Sequence, residues 1–222
     1  MEENMLLYWS GGKDSVMALY EAKTNRRYRD YQIASLLTTL TEGYDRISGH
    51  GVRRLLLEHQ AECLGLSLHK TYIPKGAAMS EYEAVIEEAL LEHKTQGTTL
   101  AATGDIYIEK RRMATFRKTG VKGCFPLMRK DSYEHICKII DLGFKAYVVC
   151  VDGAVLDQSF VGRMIDREFI NDLPSGVDVC GENGEFHTFV FDGPMFRKPV
   201  NCKLGEVVFR ESFYFCDLLP DS

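Results

Sequence analysis

No run of about 18 apolar residues occurs anywhere in the 222-residue chain, so no membrane-spanning helix is expected. The opening MEENMLLYWS lacks a basic segment ahead of a long apolar one, the pattern of a secretory leader. Cysteine appears seven times, at 63, 124, 137, 150, 180, 202 and 216, yet no two make a Cys-x-x-Cys pair and no Cys/His spacing suits zinc. Several lie in apolar runs, so they are expected as reduced, buried thiols of a cytoplasmic protein. There is no Pro/Ser-rich linker, low-complexity segment or internal repeat. Positive charge is in deficit, 27 Lys and Arg against 32 Asp and Glu, which argues against a nucleic-acid-coating protein. One basic cluster stands out, at Lys110, Arg111, Arg112, Arg117, Lys118 and Lys122.

With 45% apolar and 27% charged residues the composition is that of a globular domain. Strand-like runs lie at 5–9, 31–40, 68–73, 98–104, 122–127 and 145–152, several apolar on both faces as buried parallel strands are. Between them SEYEAVIEEALLEHK has Ser80 and Glu83 as a capping box, DSYEHICKIIDLG repeats the device with Asp131 and Glu134 before Gly143, and GVRRLLLEHQAECLGL reads as a third helix. The alternation predicts an α/β fold: a doubly wound, Rossmann-like parallel sheet with helices on both faces. After residue 152 the rhythm breaks into Gly-, Asp- and aromatic-rich sequence ending in one or two antiparallel strands. The expected division is 1–152 as a nucleotide-binding domain and 153–222 as a smaller lobe.

Ligands bind outside the carboxyl ends of the strands of such sheets. There, WSGGKDSV joins the first strand to the first helix. Gly11 and Gly12 let the backbone turn and approach an anion, amides at the helix N-terminus point outward, Lys13 adds charge, and Ser10 and Ser15 add hydroxyls. Neither GxxxxGK[ST] nor GxGxxG is present; a glycine turn capped by Asp14 or Ser15 is the plain structural alternative. A second polar stretch, CGENGEFH, is too glycine-rich for a helix and presents Glu182, Asn183 and Glu185 from a loop.

The string Ser-Gly-Gly-Lys-Asp-Ser after a strand resembles the pyrophosphate loop of the N-type ATP pyrophosphatases. ATGDIYIEKRR, GFKAYVVCVDGAVLDQSFVGRMID and CGENGEFHTFVFDGPMF look like the diphthine–ammonia ligase (diphthamide synthetase) family and its bacterial relatives, over roughly residues 5–200. The resemblance implies that Ser10, Gly11, Gly12, Lys13, Asp14 and Ser15 hold the leaving pyrophosphate. Leu37 and Thr38 would lie by the adenine and Asp105 by the nucleotide. Lys13, Glu182 and Glu185 would be catalytic, and Asn183, Arg112, Arg163 and His187 substrate-binding. Asp14 would bind Mg2+. His50 and Arg53 in GHGVRR also match a family string.

The implied activity is amide ligation: ATP adenylates a substrate carboxylate, and ammonia then displaces AMP. The partners are ATP, free ammonia and a carboxylate, elongation factor 2 carrying diphthine where that pathway exists. No membrane or nucleic-acid partner is expected. The alternatives are a non-catalytic ATP- or AMP-binding regulator and an enzyme of the same loop class acting on another small molecule or tRNA. FRESFYFC reads as an internal strand, with a homo-oligomer contact as the other reading.

Overall fold

Met5, Leu6 and Leu7 have no exposed surface, and this apolar run sets the first strand at the centre of a sheet. The computed structural model describes residues 3–106 and 110–221, the side chains of Lys110 and Arg111 excepted. In chain order the elements are β1 (Glu3–Tyr8), α1 (Lys13–Thr24), β2 (Tyr31–Thr41), β3 (Arg46–Ile47), α2 (Arg54–Leu64), β4 (Leu68–Ile73), α3 (Met79–Thr95) and β5 (Thr98–Ala102). Then follow α4 (Lys110–Thr119), β6 (Lys122–Cys124), α5 (Ser132–Asp141), β7 (Lys145–Asp152), α6 (Arg167–Asp172), β8 (Phe186–Asp192), β9 (Cys202–Arg210) and β10 (Phe213–Pro220).

By its contacts the chain divides into two units, one of residues 1–10, 14–48 and 65–129, the other of 11–13, 49–64 and 130–222. The first unit contains a sheet in the order β3-β2-β1-β5-β6, with β4 also paired to β2. Every pairing in it is parallel except that of β2 with β3. From β1 the chain steps outward to β2 and β4, then returns to β5 and β6 on the opposite side. Right-handed crossovers therefore place α1 and α3 on opposite faces, and the order reverses at β1 and β5, where such sheets bind ligands. Leu6, Leu37, Ile86, Leu90, Ala101 and Phe116 form one core cluster under α3 and α4, each large side chain contributing about 1.5–3 kcal/mol by burial.

The second unit holds a four-stranded antiparallel sheet, β8-β7-β10-β9. Here the structure corrects the expected boundary. The run 145–152 is not a parallel strand of the main sheet; it pairs antiparallel with β8 and β10, and the division falls after residue 129, not 152. The reason is burial: four of its eight residues in succession, Val148 to Val151, are buried, and a strand covered on both faces reads the same in either kind of sheet.

Helix ends follow local chemistry. The Asp131 carboxylate accepts the Glu134 amide at 3.0 Å, and Gly143, at φ 82°, ends that turn. For α3 the expected Ser80–Glu83 box is replaced one turn edge earlier: the Ala78 amide donates to the Glu81 carboxylate at 2.7 Å. All seven cysteines are free, with Cys137 and Cys202 only half-buried. Among the described residues no helix is long and apolar enough to cross a membrane.

Candidate functional site

The loop after β1 is shaped from both ends. Tyr8 pairs with Leu37 in the parallel register, and the Trp9 amide donates to the Leu37 carbonyl at 2.8 Å, so the chain leaves the sheet level with the end of the neighbouring strand. The Ser10 amide donates to Ser15 Oγ at 3.1 Å, and the two hydroxyls meet at 2.8 Å. This ties the start of the loop to the first turn of α1.

The Gly-Gly-Lys segment is held within the second unit. The Gly11 carbonyl accepts from the Val190 amide at 2.9 Å and from Gln60 Nε2 at 3.0 Å. The Lys13 amide donates to Thr188 Oγ1 at 3.0 Å. Gly11 stands at φ 75°, a left-handed conformation natural to glycine, and a Cβ there would lie 2.8 Å from both Leu57 Cδ2 and Gln60 Oε1. Gly104 serves similarly in the first unit: its Cβ would fall 2.7–2.9 Å from the backbone of Asp14 and Ser15. That close approach brings the Thr103–Asp105 loop against the start of α1.

Lys13 is 4% exposed, with its ammonium 3.9 Å from Glu182 Oε1 and over the Phe186 ring. Buried cationic charge at the N-terminus of a helix suits an anion. Glu185 differs in kind. Its carboxylate accepts the Asp178 amide at 3.0 Å and the Asn183 amide and side-chain Nδ2 at 2.9 Å each. Burial pushes its carboxyl up, but these hydrogen bonds more than cancel that and hold it below the ordinary glutamate range. Glu185 and Asn183 therefore knot the loop that carries Glu182.

In the first unit, Asp105 accepts the Thr103 hydroxyl at 2.7 Å and pairs with Arg112 Nε at 2.5 Å. The Arg112 guanidinium lies over the Tyr8 ring. Burial pushes the Tyr8 hydroxyl far above its ordinary range, against the pull of Arg112, so it remains a neutral donor. Tyr8, Tyr82, Glu83, Arg112 and Thr115 line a recess of about 170 Å³. Thr38, 1% exposed, has a side-chain oxygen with no hydrogen-bond partner among the described residues, one residue past the β1–β2 register.

Other expected residues have different employment. The Leu37 side chain belongs to the core cluster, leaving only its backbone at the strand end. Arg163 pairs with Asp172 at 2.8 Å and sits over Phe160 and Phe169, a structural ion pair and not a loop contact. Arg53 makes a two-pronged pair with Asp217 at 3.0 and 2.6 Å. His187 packs its ring on His50 at 4.3 Å. Cys180 is fully buried and donates to the Ser132 carbonyl at 3.0 Å. Sequence reasoning passed over Gln60 and Thr188, which clamp the loop. Gln60 had a signal: an amide on the buried face of an apolar helix must find partners. Among the described residues no three His, Cys, Asp or Glu side chains converge as a metal cage. Asp14 stands at the loop, which fits an ion that arrives largely coordinated by phosphate and water.

Fold and loop together define a doubly wound α/β protein with a Gly-Gly-Lys turn at the switch point of its parallel sheet. The comparisons carry this further: the diphthamide synthase N-terminal domain family matches residues 3–123 and the C-terminal domain family residues 131–219. The chain belongs to the diphthamide synthase family. Human diphthine–ammonia ligase is 23% identical over 227 residues, covering 93% of this chain and 85% of that one. The zebrafish enzyme of that name is 24% identical over 233 residues, 93% and 89%. A crystal structure of a predicted subunit of tRNA methyltransferase from Methanocaldococcus jannaschii covers 84% of this chain and 96% of that one, at 16% identity and a TM-score of 0.47. That likeness is too loose to carry a shared activity.

Proposed function

We propose that this protein is an ATP-dependent amide ligase that adenylates a substrate carboxylate and amidates it with ammonia, with diphthine as the acceptor its relatives' names suggest and elongation factor 2 as the protein that carries it. The carboxylate oxygen attacks the α-phosphorus and pyrophosphate leaves; ammonia then attacks the acyl carbon, AMP departs and the amide remains. The observation that carries this reading is Lys13: an ammonium with 4% exposure on a Gly-Gly turn at the first helix N-terminus. Charge placed there is complementary to a departing pyrophosphate and needs no reorganisation as the reaction proceeds.

The remaining roles belong to the same proposal, each supported by what the side chain faces. The Ser10 and Ser15 hydroxyls and the loop amides orient the phosphates. Thr38, with its unpartnered hydroxyl, is the residue of the β2 end suited to a nucleobase. Asp105, pinned by Thr103 and Arg112, stands beside the α1 start where the nucleotide would lie. Glu182, 16% exposed, faces the Lys13 ammonium and is suited to the incoming amine. A magnesium ion brought with ATP would neutralise phosphate charge, with Asp14 as this chain's ligand.

The test is pyrophosphate and AMP release from ATP with magnesium, ammonia and diphthine-bearing elongation factor 2. The wild-type protein should turn over, and Lys13→Met, with an unchanged circular dichroism spectrum, should lose about 100-fold or more, the scale of one missing oxyanion donor. Tight AMP binding without turnover on any carboxylate, or wild-type rates in the Lys13 variant, would sink the proposal.

A further inference from the structure

The antiparallel sheet ends in β9, whose one neighbour among the described residues is β10, so the other side of β9 is a row of amides and carbonyls facing away from its sheet. Natural sheets shield such edges with proline, like charges or burial. This one has no proline, and its residues 206–210, Glu-Val-Val-Phe-Arg, are all exposed, Phe209 to 62% and Val208 to 43%.

Orientation along the edge can be worked out. The β9–β10 hairpin turns through Glu211 and Ser212, both at positive φ, a two-residue loop whose flanking pair, Arg210 and Phe213, exchanges both hydrogen bonds. Alternation then turns the N–H and C=O groups of Arg210 and Val208 toward β10, and those of Phe209 and Val207 outward. The ladder is regular from Val207 to Arg210; three steps along β9, Val207 to Leu204, match two along β10, Cys216 to Leu218, so the register shift begins at Glu206.

We infer that β9 is a homodimer edge, pairing antiparallel with β9 of a second copy about a twofold axis at Val208. Residues directly opposite in an antiparallel pair share one orientation, so the axis must fall at a residue and not between two. With Val208 on the axis, Val207 lies opposite the partner's Phe209 in two mutual, doubly hydrogen-bonded pairs. Arg210 lies opposite the partner's Glu206, twice. Aromatic against β-branched and opposite charges are the favourable cross-strand pairs, and like charges the unfavourable ones. An axis at Val207 or at Phe209 places no acid opposite Arg210. The sequence of this edge is thus complementary to itself about one point, which is what an isologous interface requires.

The experiment is the solution mass of the full-length protein at 10–100 μM by analytical ultracentrifugation, with expected mass twice the 25.2 kDa of the chain. Val208→Glu, which sets two like charges across the axis, should halve it. Val208→Cys should cross-link on mild oxidation, since non-hydrogen-bonded partners approach within disulfide reach, while Val207→Cys should not. Glu206→Arg and Arg210→Glu should each weaken the dimer at least tenfold, and the double reversal should restore it. A monomer throughout the range, cross-linking at 207 as readily as at 208, or a double reversal that stays monomeric overturns the inference.

Discussion

Glu185 shows how one carboxylate can hold the shape of a loop, accepting three hydrogen bonds from Asp178 and Asn183. Its folded-state acidity is enhanced, so it contributes stability that is full above the unfolded glutamate value of about 4.3 and is lost as pH falls through its lower folded value. Glu185→Gln keeps the shape but gives up the charge-assisted hydrogen bonds and turns an amide toward the donors, costing about 1–3 kcal/mol at pH 7. Denaturant midpoints of the two proteins should therefore differ widely at pH 7 and converge as pH falls through the lowered folded value of Glu185; a gap that does not narrow in acid would deny Glu185 its ionised role. Residue by residue, the strand–turn–helix form of Ser10–Ser15 was legible because paired glycines after an apolar strand and ahead of a helix cap mark a tight turn. Leu37, Arg53 and Arg163 were not, because a core leucine and a structural arginine look no different in sequence from functional ones. Their partners, Asp217 and Asp172, lie 164 residues away in one case and 9 in the other, and no periodicity announces either.

Among elements, the β9–β10 turn has two successive residues that disagree with its backbone. Glu211 at φ 49° and Ser212 at φ 73° occupy positions that asparagine and glycine fill at lower cost. The Gly153 amide donates to the Ser212 carbonyl at 2.8 Å, which helps hold the turn and is retained when the side chain changes. Glu211→Asn with Ser212→Gly should raise stability by about 1 kcal/mol, read as a higher denaturation midpoint at unchanged slope; no gain would mean the turn carries no strain. Element type was readable wherever the pattern was strong: β4, β7, the three long helices and the terminal hairpin lie within a few residues of expectation. What failed was assignment of β7 to a sheet. Direction of pairing is set by partners far along the chain, here Phe186 to Asp192 and Phe213 to Phe215, and a strand apolar on both faces carries no trace of them.

For the whole molecule, the two family matches meet between residues 123 and 131, the same place where contacts divide the chain. The division is not a simple cut, however, since residues 11–13 and 49–64 count with the later part. The hydrogen bonds that fix Gly11 and Lys13 come from Gln60, Thr188 and Val190. During synthesis the glycine turn thus emerges well ahead of the residues that shape it, and a nascent chain that has not yet reached Val190 lacks the full set of hydrogen bonds to Gly11 and Lys13. A protein truncated ahead of Phe186 should leave ATP unbound in equilibrium dialysis even though it contains the entire Ser10–Ser15 string. The Gly-Gly-Lys turn then takes its final shape only once β8 exists, and a stalled or clipped product lacks the Thr188 hydroxyl and Val190 amide that hold it.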